Sequence, residues 1–382
     1  MAGQEVGGNI IQIIPRRSSR ADGIGDYGTH LAEAMRERAG YNSVFVSGTP
    51  ERMEPPRVDR WQTHPVVERS SRRLAQQLSA LCRDSGAACM IVHVSGYGYQ
   101  KRGAPLWLLN GMQRWRRTHR DFHLFGIFHE LFATGRVWNS SFWLSKVQEY
   151  VTRGIWKLCD GGLTTTSPYY DQLASWRPEM KRLNLLQTKA VFSNVGEPDF
   201  IAPAENRPAR MVVFGQPGTE LGIYGNPHCG VSSSIAKNLG ILEIIDIGAR
   251  AIQPPSSLGQ IPIMCLGQLA RNTVSQYLMS CRFGLLNYDV ARLQKSGVFA
   301  AYAAHGVIPI CIGSEATPPF GLEEGRHFLR WPLKILPDLH AMQTSLRQWY
   351  ADHSVAKHAD VLASWCGIEK GIQSSEVEKT LA

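Results

Sequence analysis

Short apolar runs alternate with amphipathic stretches along almost the whole chain, and nothing else in the sequence constrains the fold as strongly. Residues 10–14, 44–46, 87–94, 122–128 and 161–165 read as strands. Between them, residues 27–38, 68–83, 106–118, 143–158 and 169–176 carry helical spacing. Residues 49–65, rich in proline and charge, read as connection. Strands that are apolar on both faces and separated by helices pair in parallel, because each crossover helix covers one face of the sheet. The pattern predicts a doubly wound parallel sheet.

The character changes at residues 193–210, where Pro198, Pro203 and Pro208 punctuate a polar stretch that reads as a linker. A second α/β series then opens at residues 211–215. It continues with a helix near 233–239, strands at 242–247 and 262–266, a helix at 273–280 and a strand at 283–286. Pro309 lies in a further strand-like run, which places it near an edge or a strand start. A last helix spans 342–366 with an interruption near Asp352 and His353. The expected organisation is a Rossmann-like domain over 1–200, a second over 201–345, and a helical segment over 346–382 that packs back on the first.

With 382 residues and 43% hydrophobic content, the chain can bury more than one core. Its net charge of +9 is spread over several clusters, among them Arg69, Arg72 and Arg73, and Arg114, Arg116, Arg117 and Arg120. Such a surface attracts nucleic acid, an anionic membrane or a phosphorylated small molecule. No zinc-finger spacing or RNA-binding aromatic motif supports nucleic acid. The eight cysteines include no C-x-x-C pair and sit in apolar surroundings. They read as buried thiols of a reducing compartment, with neither disulfides nor metal ligation. No export-type apolar run opens the chain and no 18-residue apolar span occurs, so a cytoplasmic protein is expected.

Three segments carry candidate chemistry. Lys295, Ser296, Gly297 and Val298 open an Ala-rich helix that stops at Gly306. Backbone N–H groups at such a helix start, with the Ser296 hydroxyl and the Lys295 charge, suit a phosphate. The plainer reading is that Ser296 only caps the helix. Gly23 to Gly28 form a glycine-rich loop in which Gly25 permits close approach and Asp26 either orients a hydroxyl or caps the following helix. The spacing fits Gly-x-Gly-x-x-Gly, but eight residues part it from Ile14, which weakens a nicotinamide-coenzyme reading. His129 and Glu130 end a hydrophobic strand, where α/β folds place functional groups, and His93 is a weaker candidate of the same kind. Tyr97, Tyr99, Lys101 and Arg102 form an aromatic-basic loop, and Arg136, Trp138 and Trp143 another. Either suits a sugar ring or packs on the sheet edge. No metal cluster is visible in the sequence.

The chain resembles bacterial glycosyltransferases of the GT-B class, near the retaining branch that includes glycogen synthases. Four segments carry the likeness: Gly23 to Gly28, His129-Glu130, Asn194-Val195-Gly196, and Ser296 to Pro309. The resemblance implies an α/β fold of two Rossmann-like domains facing across a cleft. It implies transfer of a sugar from a UDP- or GDP-linked donor to a glycan, lipid-linked or other glycoconjugate acceptor, with retention and without a metal or further cofactor. His129, Asp26 and Glu130 would be catalytic. Gly25, Gly215, Lys295, Ser296, Gly297 and Val298 would hold the donor. A lipid-linked acceptor would bring peripheral contact with an anionic inner membrane. The sequence also departs from the pattern. Leu293 and Ala301 stand where the branch carries two glutamates, and the turn after residue 214 lacks the usual basic pair. The alternative is a catalytically inactive nucleotide- or sugar-binding protein.

Overall fold

The computed structural model describes residues 8–17, 22–50, 53, 57–133, 140–215, 222–225, 228–249, 253–312, 316–319, 321–333 and 336–367. The chain divides into two compact units. One holds the chain up to Lys189 and again from Val355; the other runs from Ala190 to Ser354.

The first unit is built on strands β1 (Asn9–Ile14), β2 (Asn42–Ser47), β3 (Thr63–Pro65), β4 (Ala87–Val94), β5 (His123–Phe128), β6 (Gly161–Thr164) and β7 (Leu186–Thr188). Their order in the sheet is β3-β2-β1-β4-β5-β6-β7, and every neighbouring pair is parallel. The order reverses between β1 and β4, the switch point of a doubly wound fold. Helices α1 (Gly23–Ala39), α2 (Ser71–Ser85), α3 (Gly96–Tyr99), α4 (Leu106–Thr118), α5 (Ser140–Leu158), α6 (Ser167–Trp176) and α7 (Pro178–Arg182) connect them. Ile10, Ile11, Ile13 and Ile14 of β1 are all buried, so both faces of the sheet are covered. Each such side chain contributes roughly 1.5–3 kcal/mol on leaving water.

The segment 23–28, read as a loop, is helix. Asp22 caps α1, its Oδ2 accepting the Gly25 N–H at 2.8 Å, and Asp26 therefore lies in the first turn rather than at the cap. The helix closes at Gly40, left-handed at φ 70°, whose N–H donates to the Arg36 carbonyl. Strands β3 and β7 are three residues each and too short to show a period; β3 lies within the segment read as connection.

The second unit carries β8 (Arg210–Phe214), β9 (Glu243–Ile247), β10 (Ser257–Leu258), β11 (Ile261–Gly267), β12 (Phe283–Asn287), β13 (Ile308–Ile312) and β14 (Leu329–Arg330), with helices α8 (His228–Asn238), α9 (Arg271–Ser280), α10 (Gly297–Ala304) and α11 (Leu339–Ala351). The order is β10-β11-β9-β8-β12-β13-β14, parallel except for the β10–β11 edge. Its switch point lies between β8 and β12. Pro309 is the second residue of β13, paired to Gly284 on one side; β14 joins the other side only from Ile310. That is where a residue without an N–H fits a parallel ladder.

The passage into the second unit precedes the stretch 193–210, because that stretch is tied to the second unit. Val191 N–H donates to the Gln294 carbonyl at 2.9 Å, and Ser193 N–H to the Tyr350 hydroxyl at 2.7 Å. Tyr350 in turn donates to Glu197 Oε1 at 2.6 Å, and burial followed by the Glu197 charge pushes its phenol up.

The interruption near residues 352–353 separates α11 from α12 (Val355–Cys366), which belongs to the first unit. Helix α12 packs on α1. Tyr27 OH lies 2.6 Å from His358 Nδ1, and Arg38 grips Asp360 with two bonds, at 2.6 and 3.0 Å. Cys366 at its end is disulfide-bonded to Cys89 in β4. This corrects the expectation of thiols only. The two cysteines are 277 residues apart, and folding alone brings them together. Cys82, Cys159, Cys281 and Cys311 form no disulfide.

Candidate functional site

In the first unit the predicted residues gather at the carboxyl edge of the sheet. Phe128 ends β5, and His129 N–H then donates to the Val94 carbonyl at 3.0 Å, so the turn is anchored to the end of β4. The His129 ring is half-buried and the wholly buried His93 reaches it from β4, with Nδ1 3.1 Å from His129 Nε2. The two rings are nearly parallel, at 11°. His93 Nε2 meets Gln12 Oε1 at 3.0 Å, and Gln12 Nε2 donates to Ser43 Oγ at 2.8 Å. Tyr27 of α1 stands edge-on to His129, centroids 4.8 Å apart. Burial, then the neighbouring His129, pulls the His93 pKa well below that of an ordinary histidine. His93 is therefore neutral at physiological pH.

Glu130 turns outward and accepts from Ser95 Oγ at 2.8 Å. Asp26 accepts from Arg57 Nη1 at 2.9 Å. Arg57 also lies 3.5 Å from Asp59, which Arg17 holds at 2.5 Å. The Arg17 guanidinium rests over the Phe45 ring at 4.3 Å. Asp26 is thus an anchored carboxylate with a charged partner. Gly25 serves packing: its N–H is taken by Asp22, and an added Cβ would meet the Arg16 carbonyl at 2.8 Å.

Sequence reasoning passed over Gln12, Ser43, Ser95, Arg57 and Tyr27. Gln12 had a signal, a polar residue in the middle of a wholly buried strand, where it must find partners. The aromatic-basic loop at 97–102 divides. Tyr99 is core, its hydroxyl donating to the Ile13 carbonyl at 3.1 Å. Tyr97 is half-exposed and accepts from Gln148 Nε2. Arg136 and Trp138 lie outside the described residues, as does the Trp143 side chain.

In the second unit the site is mostly backbone. Gly215 follows β8 at φ 133°, and Gly248 follows β9 at φ 146°, both values that a side chain rarely tolerates. They lie so close that a Cβ on Gly248 would sit 2.0 Å from the Gly215 carbonyl. A Cβ on Gly215 would meet Val298 Cγ2 at 3.0 Å, which brings the end of β8 against the first turn of α10. Ser296 caps that helix, Oγ accepting the Phe299 N–H at 3.1 Å, while Ala300 N–H returns to the Ser296 carbonyl. The helical pattern leaves the Gly297 and Val298 N–H groups outside the intrahelical ladder, at the positive end of the dipole. Lys295 is the half-buried residue just before the cap. Residues 216–220, where a basic pair was sought, lie outside the described residues.

Leu293 and Ala301, at the two positions where glutamates were expected, are both wholly buried. They face packing, and no carboxylate is supplied from either. Tyr302, one residue on, reaches the switch point. Strands β8 and β12 pair only at Met211–Phe283 and Val212–Gly284. Beyond that the Tyr302 hydroxyl spans them, lying 3.1 Å from Phe214 N, 3.2 Å from the Val212 carbonyl and 3.4 Å from the Leu285 carbonyl. Gly284 gives the ring its room, since a Cβ there would be 2.4 Å from Tyr302 Cε2. Among the described residues no group of three or more His, Cys, Asp or Glu could hold a metal ion, and no helix is long and apolar enough to cross a membrane.

No protein-family model matches the sequence, and no curated protein matches it. Solved structures match over nearly the whole chain. A glycosyltransferase from Rickettsia africae ESF-5 superposes with a TM-score of 0.58 at 9% identity, covering 94% of this chain and 99% of that one. The apo form of the lipopolysaccharide outer core galactosyltransferase WaaB gives 0.53 at 11% identity, covering 94% and 98%. Anabaena HepE in complex with UDP-glucose gives 0.50 at 11% identity, covering 98% and 99%. The fold is that of the GT-B glycosyltransferases, two Rossmann-like domains on parallel sheets.

Proposed function

We propose that the protein is a glycosyltransferase that moves a sugar from a nucleotide-sugar donor to a glycan, lipid-linked or other glycoconjugate acceptor. The observation that carries this reading is the start of α10. Its first turn has two unladdered N–H groups and follows Lys295, and its Val298 side chain lies against Gly215 at the carboxyl edge of a Rossmann sheet. A nucleoside diphosphate suits that arrangement, because its charge meets oriented donors and the positive end of a helix. The donor class, UDP- or GDP-linked, is supported by the UDP-glucose held by HepE on the same fold.

In this reading Lys295, Ser296, Gly297, Val298 and Gly215 hold the diphosphate. They also stabilise the charge that grows on it as the sugar–phosphate bond breaks. His129 contacts a sugar hydroxyl. Asp26, held in place by Arg57, and Glu130, held by Ser95, orient the acceptor. Transfer proceeds with retention, the acceptor hydroxyl approaching the face from which the diphosphate leaves and giving its proton to the leaving phosphate. No further cofactor enters. We place the protein in the cytoplasm, in peripheral contact with an anionic inner membrane; the net charge of +9 supports that contact.

A thermal-shift screen of nucleoside diphosphates and their sugars tests the donor site. Stabilisation by at least one is expected, and Lys295→Ala should weaken it. No shift with any of them would sink the reading. Product analysis with labelled donor then separates a transferase from a protein that binds without turnover.

A further inference from the structure

Strands β4, β5 and β6 follow one another in the first sheet, so the crossover helices α4 and α5 lie on the same face of it. They pack closely: a Cβ on Gly154 of α5 would meet Leu109 of α4 at 2.8 Å. Gln148 of α5 fastens α3 and the turn after it alongside. Its Nε2 donates to the Tyr97 hydroxyl at 3.0 Å and to the Arg102 carbonyl at 2.9 Å. On α5, Val147, Tyr150, Arg153 and Lys157 are three or four residues apart and form one exposed stripe, opposite the buried Gln148, Thr152 and Ile155. Tyr150 is 59% exposed, Tyr97 47%, Leu106 at the start of α4 42%, and Val147 38%. The charge around these apolar side chains has one sign. No carboxylate occurs between Tyr97 and Thr118, and α5 carries only Glu149, which Lys146 holds at 3.2 Å. Arg102, Arg114, Arg117, Arg153 and Lys157 are exposed, and none is paired with a carboxylate among the described residues. One exposed apolar residue is ordinary; several grouped within unpaired charge of one sign mark a surface that meets something.

We propose that this α4–α5 face docks on an anionic bilayer, with Tyr150, Val147 and Leu106 entering the headgroup layer while Arg153, Lys157 and Arg102 meet lipid phosphates. It rests on the membrane contact of the functional reading, and it gives that contact a place. Charge complementarity selects the occupant. A second copy of the chain meeting this face symmetrically would bring like charges together. A neutral glycan would leave the cations without counterions. An anionic bilayer answers both halves of the surface. Its phosphates pair the cations, each of which contributes about fivefold in affinity. Its headgroup layer takes aromatic and aliphatic side chains, and tyrosine with its polar tip suits that depth. Arginine and lysine stems lie along the apolar stripe while their heads reach outward.

The test is sedimentation of the full chain with vesicles of phosphatidylcholine, alone or mixed with phosphatidylglycerol. Binding to the mixed vesicles is expected, weakening with salt, and little binding to phosphatidylcholine alone. The double variant Arg153→Glu, Lys157→Glu should lose at least about tenfold. A matched control, Arg36→Glu on α1 with Lys237→Glu on α8, changes the charge equally and should lose far less. Tyr150→Ser should weaken binding about fivefold at every salt concentration, because apolar insertion is not screened. Equal loss in the two double variants would overturn the face and leave the membrane contact as attraction by net charge alone. No binding of the parent to mixed vesicles would overturn this inference together with the membrane contact, while the donor site keeps its own thermal-shift test. A dimer of the parent that Tyr150→Ser dissolves would give the face to a second copy and overturn the proposal. If the Arg153→Glu, Lys157→Glu variant melts early, Tyr150→Ser decides alone, and unchanged binding there overturns the docking.

Discussion

The residues that follow β5 and β1 in the first sheet bring His129, Glu130 and Asp26, each held by a named partner: His93, Ser95 and Arg57. The residues that follow β8 and β9 in the second sheet are Gly215 and Gly248, with no side chain at all. Both edges belong to the same strand order, reversing between the first and fourth major strands. One edge therefore carries side chains held by partners, and the other closely packed glycine backbone. A side-chain edge distinguishes hydroxyl patterns. A backbone edge beside a helix terminus favours an anion of any origin.

The largest expected effect breaks the backbone edge. Gly248→Ala puts a Cβ into the Gly215 carbonyl at a φ that side chains rarely adopt, and should cost about 5 kcal/mol. Chemical denaturation with a probe in the second unit reads this out. Loss below about 2 kcal/mol would mean the two glycines are not locked as described.

The next effect belongs to the first unit alone. Reducing Cys89–Cys366 should lower the stability of the first unit by about 4 kcal/mol, since the bond closes a long loop onto α12. Hydrogen exchange with and without reductant should show lost protection in α12 and α1, and none in α10.

Acid should then act on the second unit. His305 is buried, its Nδ1 on the Ala301 carbonyl and its Nε2 on Ser275 Oγ. Burial lowers its pKa to about 4. Above pH about 6.5 the histidine is neutral folded and unfolded, and no stability is lost. As pH falls from there toward 4, the unfolded chain takes a proton that the folded chain refuses. About 3 kcal/mol is lost across that window. Melting of the second unit should fall over this window and fall less in His305→Asn. His93, also depressed, adds a loss of the same sign in the first unit.

The smallest pair sharpens the comparison most. Asp22→Ala and Ser296→Ala each remove a helix cap and should each cost about 1 kcal/mol. Only Ser296→Ala should also weaken a nucleoside diphosphate, measured by titration calorimetry. Equal binding in both variants would deny the second edge its anion.

Much of this was legible in the sequence. Apolar strands on both sides of residues 193–210, and the break near Asp352, follow from periodicity that each segment carries within itself. The positions of His129 and Ser296 at element ends follow in the same way. What was hidden depends on partners far away in the chain. Gln12 has no meaning until β4 brings His93 beside it. The Cys89–Cys366 bond needs α12 to return to the first unit. Asp26 looked like a cap because Asp22 stood outside the glycine pattern that drew attention.

Tyr302 hangs from α10, and its hydroxyl closes the gap where β8 and β12 part. A ligand that pulled on the start of that helix would also have to reopen bonds to two strands. Helix α10 is therefore tied to both halves of its sheet through one side chain.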